Sequence, residues 1–85
     1  IKMADGTIVQ KVVEYIVNEI VEDPKSVTVD LKQEDDSSVA IEVRTADQDM
    51  GRVIGKRGRV ARAIRVVAQA AAEEEGLTAT VEFID

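Results

Sequence analysis

Apolar positions along the chain change period several times, and each change marks an element. Val9, Val12, Val13, Ile16, Val17 and Ile20 recur at three- and four-residue spacing, with Gln10, Lys11, Glu14 and Asn18 between them. That is the stripe of a helix with one buried face. Thr7 offers an N-cap and Gln10 stands three residues on, the spacing of a capping box. Asp23-Pro24 stops the run, because proline pushes the residue before it out of the helical region. The first helix is therefore about four turns long, and Tyr15 stands on it at a position expected to pack.

Val27, Val29 and Leu31 alternate with Thr28, Asp30 and Lys32, and Val39, Ile41 and Val43 with Ala40, Glu42 and Arg44. A period of two predicts strands buried on one face, here joined as an antiparallel hairpin. The connection at 33–38 is polar, acidic and free of glycine, which predicts a loop longer than a two-residue turn. Residues 45–49 supply caps for a short second helix ending near Ile54, with Asp47 and Asp49 placed to complement its dipole. Gly55-Lys56-Arg57-Gly58 interrupts it. A third helix follows to about Glu75, closed by Gly76 as a left-handed cap. Val60, Ala61, Ile64, Val67, Ala68 and Ala71 share one wide face of it, the predicted core side. Ala79, Val81 and Phe83 then alternate with Thr80 and Glu82 as a third strand. The order is helix, strand, strand, helix, helix, strand, an α+β pattern.

Eighty-five residues leave room for one domain, which the pattern assigns to 7–85. Residues 1–6 show no periodicity and read as a flexible N-terminal segment. There is no Cys and no His. That excludes Cys/His zinc sites, disulfide scaffolds, thiol nucleophiles, Ser-His-Asp triads and histidine acid–base catalysis. The longest uncharged run, 66–72, is far short of a membrane span, and no secretory signal is visible. The reading is a cytoplasmic protein without a membrane partner. The carboxylates Asp47 and Asp49 and the glutamates at 73–75 have no nucleophile or metal-ligand cluster beside them. Helix capping and a solvated helix end explain them, so no catalytic residue, metal or cofactor is assigned and the chain reads as non-enzymatic.

Seventeen acidic against eleven basic side chains give a formal charge of −6, which on average disfavours nucleic acid. The average hides a segregation. Residues 50–72 hold Arg52, Lys56, Arg57, Arg59, Arg62 and Arg65 and no acidic residue, a charge of +6. The rest of the chain has five basic and seventeen acidic side chains, or −12. Such a distribution marks a local anion site on an otherwise repulsive surface. A solvated arginine face is the plainer alternative, and the glycines bear on that choice.

Gly55 and Gly58 bracket two cations in a tight turn between helices. Glycine permits positive backbone torsion and removes the Cβ that blocks a close backbone ligand. The second glycine opens a helix whose unpaired N–H groups and positive dipole end favour an anion. Lys56 and Arg57 add mobile positive charge there. A phosphodiester backbone suits all of this, being negative, slim and independent of sequence. A Walker A loop fails, because one residue too few separates Gly51 from Gly55 and Arg57 stands where Mg²⁺ binding needs Ser or Thr. A dinucleotide fingerprint fails because the loop joins helix to helix. A helix–helix turn with surface charges remains open, as does a DNA-binding helix-turn-helix, for which the second helix is short and the preceding hairpin untypical.

Val53-Ile54-Gly55-Lys56-Arg57-Gly58-Arg59 resembles the V-I-G-x-x-G core of KH domains. The element order resembles their type II arrangement, αββααβ with a three-stranded mixed sheet and three helices packed on one face. The longer run 51–65, and the first helix with its Asp23-Pro24 stop, are similar to small bacterial stand-alone KH proteins of the KhpA type. The match covers about 7–85. Ala61 departs from it, standing where many KH domains place a bulky Ile. The resemblance implies binding of single-stranded RNA, with about four nucleotides in a narrow groove and the Gly-x-x-Gly loop clamping their backbone. Carried over by position, Gly55 and Gly58 allow close approach, Lys56 and Arg57 meet phosphates, and Val53 and Ile54 support the apolar floor. Arg52, Arg59 and Arg62 reach the strand as it leaves the loop. The resemblance further implies bacterial post-transcriptional control linked to cell elongation and division, self-association, and a complex with a larger Jag-like KH-containing protein. It also places the loop between the first two strands beside the groove, where Glu34, Asp35 and Asp36 would repel phosphate or accept from base amino groups. A solvated hairpin tip is the other reading of those carboxylates.

Tyr15 and Phe83 are the only aromatics, so an aromatic stacking platform is absent. A KH groove works by hydrogen bonds and apolar contact and needs none. Ala63, Val66 and Ala70 lie together on the third helix, nearly opposite its core stripe. A helix apolar on two faces usually buries both, which predicts a homodimer through this stripe. Alanine's helix propensity is the competing explanation. The alternative function is a KH-fold interaction and dimerisation module with weak or vestigial RNA binding.

Overall fold

Of the three alternating segments, the one at 38–44 is the most deeply buried, and it becomes the middle strand. A computed structural model of the protein describes residues 5–85. Its elements are α1 (Thr7–Ile20), β1 (Thr28–Asp35), β2 (Ser38–Arg44), α2 (Asp47–Ile54), α3 (Arg59–Glu74) and β3 (Thr78–Phe83), with single 3-10 turns at Pro24–Ser26 and Lys56–Gly58. The sheet order is β1-β2-β3. β1 runs antiparallel to β2, pairing Leu31 with Ile41, and β3 runs parallel to it, pairing Val81 with Ile41. A parallel neighbour cannot be reached by a tight turn, and α2 and α3 supply the crossover. The fold is the α+β, mixed-sheet arrangement that the pattern and the KH resemblance imply.

One face of the sheet meets the helices. Val29, Val39, Ile41, Val43 and Val81 point into a core shared with Val9, Val13 and Val17 of α1 and with Ile64, Ala68 and Ala72 of α3. Each fully buried Val or Ile stabilises the fold by about 1.5–3 kcal/mol. The other face is polar and carries the Lys32–Glu42 and Arg44–Asp30 ion pairs. Among the described residues, no helix is long and apolar enough to cross a membrane.

Several local expectations change. Thr7 is the first helical residue rather than the cap; Gly6 is the N-cap, and the Thr7 N–H donates to Asp5 Oδ1 at 2.9 Å. Gln10 does not close a capping box, because its Nε2 donates to the Val29 carbonyl at 2.8 Å and ties α1 to β1. α1 ends at Ile20, ahead of the Asp23-Pro24 stop. The expected flexible segment at 1–6 falls mostly outside the described residues, and Gly6 itself is buried.

The hairpin loop is shorter than predicted. β1 extends to Asp35 and β2 begins at Ser38, with a register shift between Gln33 and Asp35. Lys32, Gln33 and Asp35 are polar and exposed yet still pair, since ladder hydrogen bonds do not require a buried face. Asp35 closes the turn by accepting from the Ser37 N–H at 2.8 Å and the Ser37 hydroxyl at 3.2 Å.

Helical faces are also corrected. Tyr15 is 69% exposed, because the buried stripe runs through Val9, Val13 and Val17 and leaves it on the outer side. Val67 is 43% exposed, whereas Ala72, outside the predicted stripe, is fully buried. The core face of α3 is rotated toward Ala61, Ile64, Ala68 and Ala72, so Val67 borders the groove between α1 and α3 with Ile16 and Ile20.

Candidate nucleic-acid interface

The loop between α2 and α3 is built on three departures from ordinary backbone within four residues. Gly55 has φ +77°, Arg57 has φ +60° and Gly58 has φ +72°. The Gly55 N–H donates to the Gly51 carbonyl at 2.9 Å, ending α2, and the Gly58 N–H donates to the Gly55 carbonyl at 3.0 Å, closing the turn. The two glycines serve different needs. A Cβ on Gly55 would lie 2.4 Å from Val60 Cγ2 and 2.8 Å from the Val60 nitrogen, so the loop is folded tightly onto the first turn of α3. Gly58 has open space around it, which leaves its backbone accessible from outside. Arg57 holds a left-handed conformation that only glycine adopts freely, so its exposed side chain leaves the loop from a strained position.

No side chain caps α3; its N-cap is Gly58. The unpaired N–H groups and positive dipole end of a sixteen-residue helix therefore meet the loop. Lys56, Arg57 and Arg59 crowd this end, and Arg62 follows one turn along. Among the described residues, none of these four has an ion-pair or hydrogen-bond partner for its side chain. Uncompensated positive charge thus surrounds an open backbone loop.

The other two basic residues of the segment are occupied. Arg52 pairs with Glu22 at 3.0 Å and lies 3.8 Å from Asp49. Arg65 Nε donates to the Val81 carbonyl at 3.2 Å, and its guanidinium lies 5.4 Å from the centre of the Phe83 ring. Val53 is fully buried in the core and Ile54 is half-buried at the end of α2. Ala61, in the place of a bulkier residue, is 2% exposed.

Sequence reasoning missed what positions the loop. Asp49 is the one charged residue buried among the described residues. It does not chiefly serve its own helix, since its two oxygens accept from the Glu22 N–H at 3.1 Å and the Asp23 N–H at 3.0 Å. This carboxylate fixes the first turn of α2 to the chain leaving α1. The partners lie 26 and 27 residues away, so no local signal could reveal them.

The acidic hairpin tip is far from the glycine loop. The Thr78 N–H donates to the Ser37 carbonyl at 2.8 Å, placing the tip at the C-terminal end of α3. Gly58 stands at the opposite end, about 24 Å away along the helix axis. Of the two readings of Glu34, Asp35 and Asp36, the geometry supports the solvated tip. The hydrogen bond from the Ser37 N–H, followed by those from the Ser38 and Ser37 hydroxyls, holds the exposed Asp35 carboxyl below its usual value.

Ala63, Val66 and Ala70 are all exposed on α3, Val66 at 64%. A depression of about 460 Å³ lies on the neighbouring flank, lined by Arg62, Arg65, Val66, Gln69, Ala70 and Glu73.

A family model for the KhpA/KhpB KH domain matches residues 10–83. The chain belongs to the KhpA/KhpB KH-domain family. Among its relatives, the RNA-binding protein KhpA of Clostridium perfringens is 40% identical over 75 residues, covering 88% of this chain and 99% of that protein. The RNA-binding protein KhpA of Caldanaerobacter subterraneus is 40% identical over 74 residues, covering 87% and 97%. That of Treponema pallidum is 35% identical over 79 residues, covering 93% and 98%. No solved structure gives a significant match. Within this KH domain the Gly55–Gly58 loop occupies the α2–α3 junction, and the unpartnered cations gather around it.

Proposed function

We propose that this chain binds single-stranded RNA, with the Gly55–Gly58 loop clamping the backbone and Lys56, Arg57, Arg59 and Arg62 meeting phosphates. The observation that carries the reading is the coincidence, at one helix end, of an open glycine backbone and four cations without protein partners. The relatives' description as RNA-binding proteins supports it. Arg52 contributes only by giving up its pairing with Glu22, so it ranks below the other four. Bacterial post-transcriptional control linked to cell elongation and division is the setting proposed from the family resemblance.

A second surface accompanies this one. Along the outer face of α3 the order is Ala63, Val66, Val67, Ala70. Turned end for end, it sets Ala63 against Ala70 and Val66 against Val67. A two-fold contact requires such self-complementarity, and small residues permit close approach. The reading is a homodimer through antiparallel α3 helices, with a larger Jag-like KH-containing protein as a competing occupant of the same face. The alternative function, an interaction module with weak RNA binding, draws on the same exposed Val66 and Val67.

Binding to a single-stranded RNA oligonucleotide at two salt concentrations separates the readings. If about three phosphates are neutralised, log K falls with log salt at a slope of about −2. Lys56→Asp/Arg57→Asp is expected to abolish binding. Retained binding with an unchanged slope would remove the loop from the mechanism.

A further inference from the structure

The six basic residues at 50–72 divide by how firmly each is held, and Arg65 stands apart. Lys56, Arg57, Arg59 and Arg62 are free to follow a phosphate wherever it lies. Arg65 is anchored twice to β3, by the hydrogen bond from Nε to the Val81 carbonyl at 3.2 Å and by the Phe83 ring 5.4 Å from its Cζ. The anchoring uses Nε and one face of the guanidinium. Its two Nη groups have no hydrogen-bond partner among the described residues, and the side chain is exposed. A planar fork of donors is therefore held at a fixed place.

Beyond Arg62, its surroundings suit a base better than a backbone. Arg65 lines the open depression on the flank of α3, with Arg62, Gln69 and Glu73 beside it and Val66 and Ala70 on the side it shares with the outer face of the helix. Gln69 makes the next part of the wall and is itself fixed, its Oε1 accepting from the Ala79 N–H at 2.9 Å and its Nε2 donating to Glu73 at 3.3 Å. Glu73 at the far end disfavours phosphate there. Arg65 is seven residues beyond Gly58, about 10 Å along the helix, so a strand clamped at the loop can extend a base into the depression. Mobile cations position a nucleic-acid backbone, while a preorganised fork reads base edges.

We infer that Arg65 is a specificity-determining residue that selects guanine at one position of the bound RNA, its Nη pair donating to guanine O6 and N7. Arginine donating to those two acceptors is the commonest base-specific contact. Adenine presents an amino donor in place of O6 and is rejected by the same fork. This inference rests on the proposed RNA binding and adds base choice to it.

The test uses the full chain and four labelled decamers, one of uridine only and three with a single central G, A or C. The natural chain is expected to bind the G-containing decamer about tenfold more tightly than the others. Arg65→Lys keeps the charge but loses the fork, and is expected to bind all four alike with the salt slope unchanged. Phe83→Leu loosens the guanidinium without touching any charge and is expected to reduce the guanine preference, which keeps the test valid if Arg65→Lys does not fold. Equal binding of all four decamers by the natural chain, preference for another base, or guanine preference retained in Arg65→Lys each overturns the inference while leaving RNA binding intact. An equal loss for all four in Arg65→Lys makes Arg65 a phosphate contact and also overturns it. Failure of the natural chain to bind any decamer overturns the RNA reading and this one together.

Discussion

Gly55 lies directly against Val60: a Cβ at position 55 would approach Val60 Cγ2 to 2.4 Å and its backbone nitrogen to 2.8 Å. The tight reversal between α2 and α3 thus depends on a missing atom as much as on a positive φ. Gly55→Ala is expected to destabilise the fold by about 2–4 kcal/mol, combining left-handed strain with overpacking. Gly58→Ala meets no neighbour and is expected to cost about 1 kcal/mol. Chemical denaturation of both variants measures the difference. Adding Val60→Ala to Gly55→Ala relieves the Cγ2 contact but not the approach to the nitrogen, so rescue is partial.

Asp49 is the second dependency. Asp49→Ala leaves two N–H groups without acceptors and releases α2 from the end of α1. The expected loss is about 3 kcal/mol, from hydrogen bonds to a charged acceptor and desolvated donors left unpaired. Hydrogen exchange at the Glu22 and Asp23 amides should accelerate in parallel. An unchanged denaturation midpoint would remove the carboxylate from the account of stability.

The α3 face makes a prediction about assembly. Val66→Asp should shift the sedimenting species to a folded monomer, since Val66 is 64% exposed within one chain, with the melting temperature falling only by the share that association contributes. A natural chain that sediments as a monomer at every concentration contradicts the dimer reading.

Acid stability carries a small signature at the hairpin. The folded-state pKa of Asp35 is lowered, mainly by the Ser37 N–H, from an ordinary value of 3.8. Its contribution is therefore fully present above pH 3.8 and is lost as the pH falls through the folded value. Asp35→Asn should be less stable than the natural chain at neutral pH, with the gap closing well below pH 3.8. A gap that persists in strong acid assigns the effect to shape rather than charge.

Much of this architecture is written in local pattern. Val9, Val13 and Val17 announce the buried side of α1, and Val39, Ile41 and Val43 that of β2, because helix and strand periods project directly onto a face. The Gly55–Gly58 spacing and the neighbouring cations are equally local, and the structure keeps them together. Patterning failed where exposure or pairing is set by distant partners. Tyr15 and Val67 are apolar enough to pack but lie just off the faces that meet other elements. Gln33 and Asp35 look like part of a loop because neither side chain needs burial, yet their backbone has a strand to pair with.

By itself, the sequence determined which segments form helices and strands, which face of most of them is apolar, and where positive charge gathers. Each follows from residues within a turn or two of one another. Only the tertiary structure decided which arginines are free and which are held, since that depends on Glu22 beside Arg52 and on Val81 and Phe83 beside Arg65. It alone placed the acidic hairpin tip at the far end of α3 from the glycine loop, and assigned Asp49 to the chain leaving α1. Those relationships join residues remote in sequence. Chain packing creates them, and a one-dimensional pattern does not contain the distances.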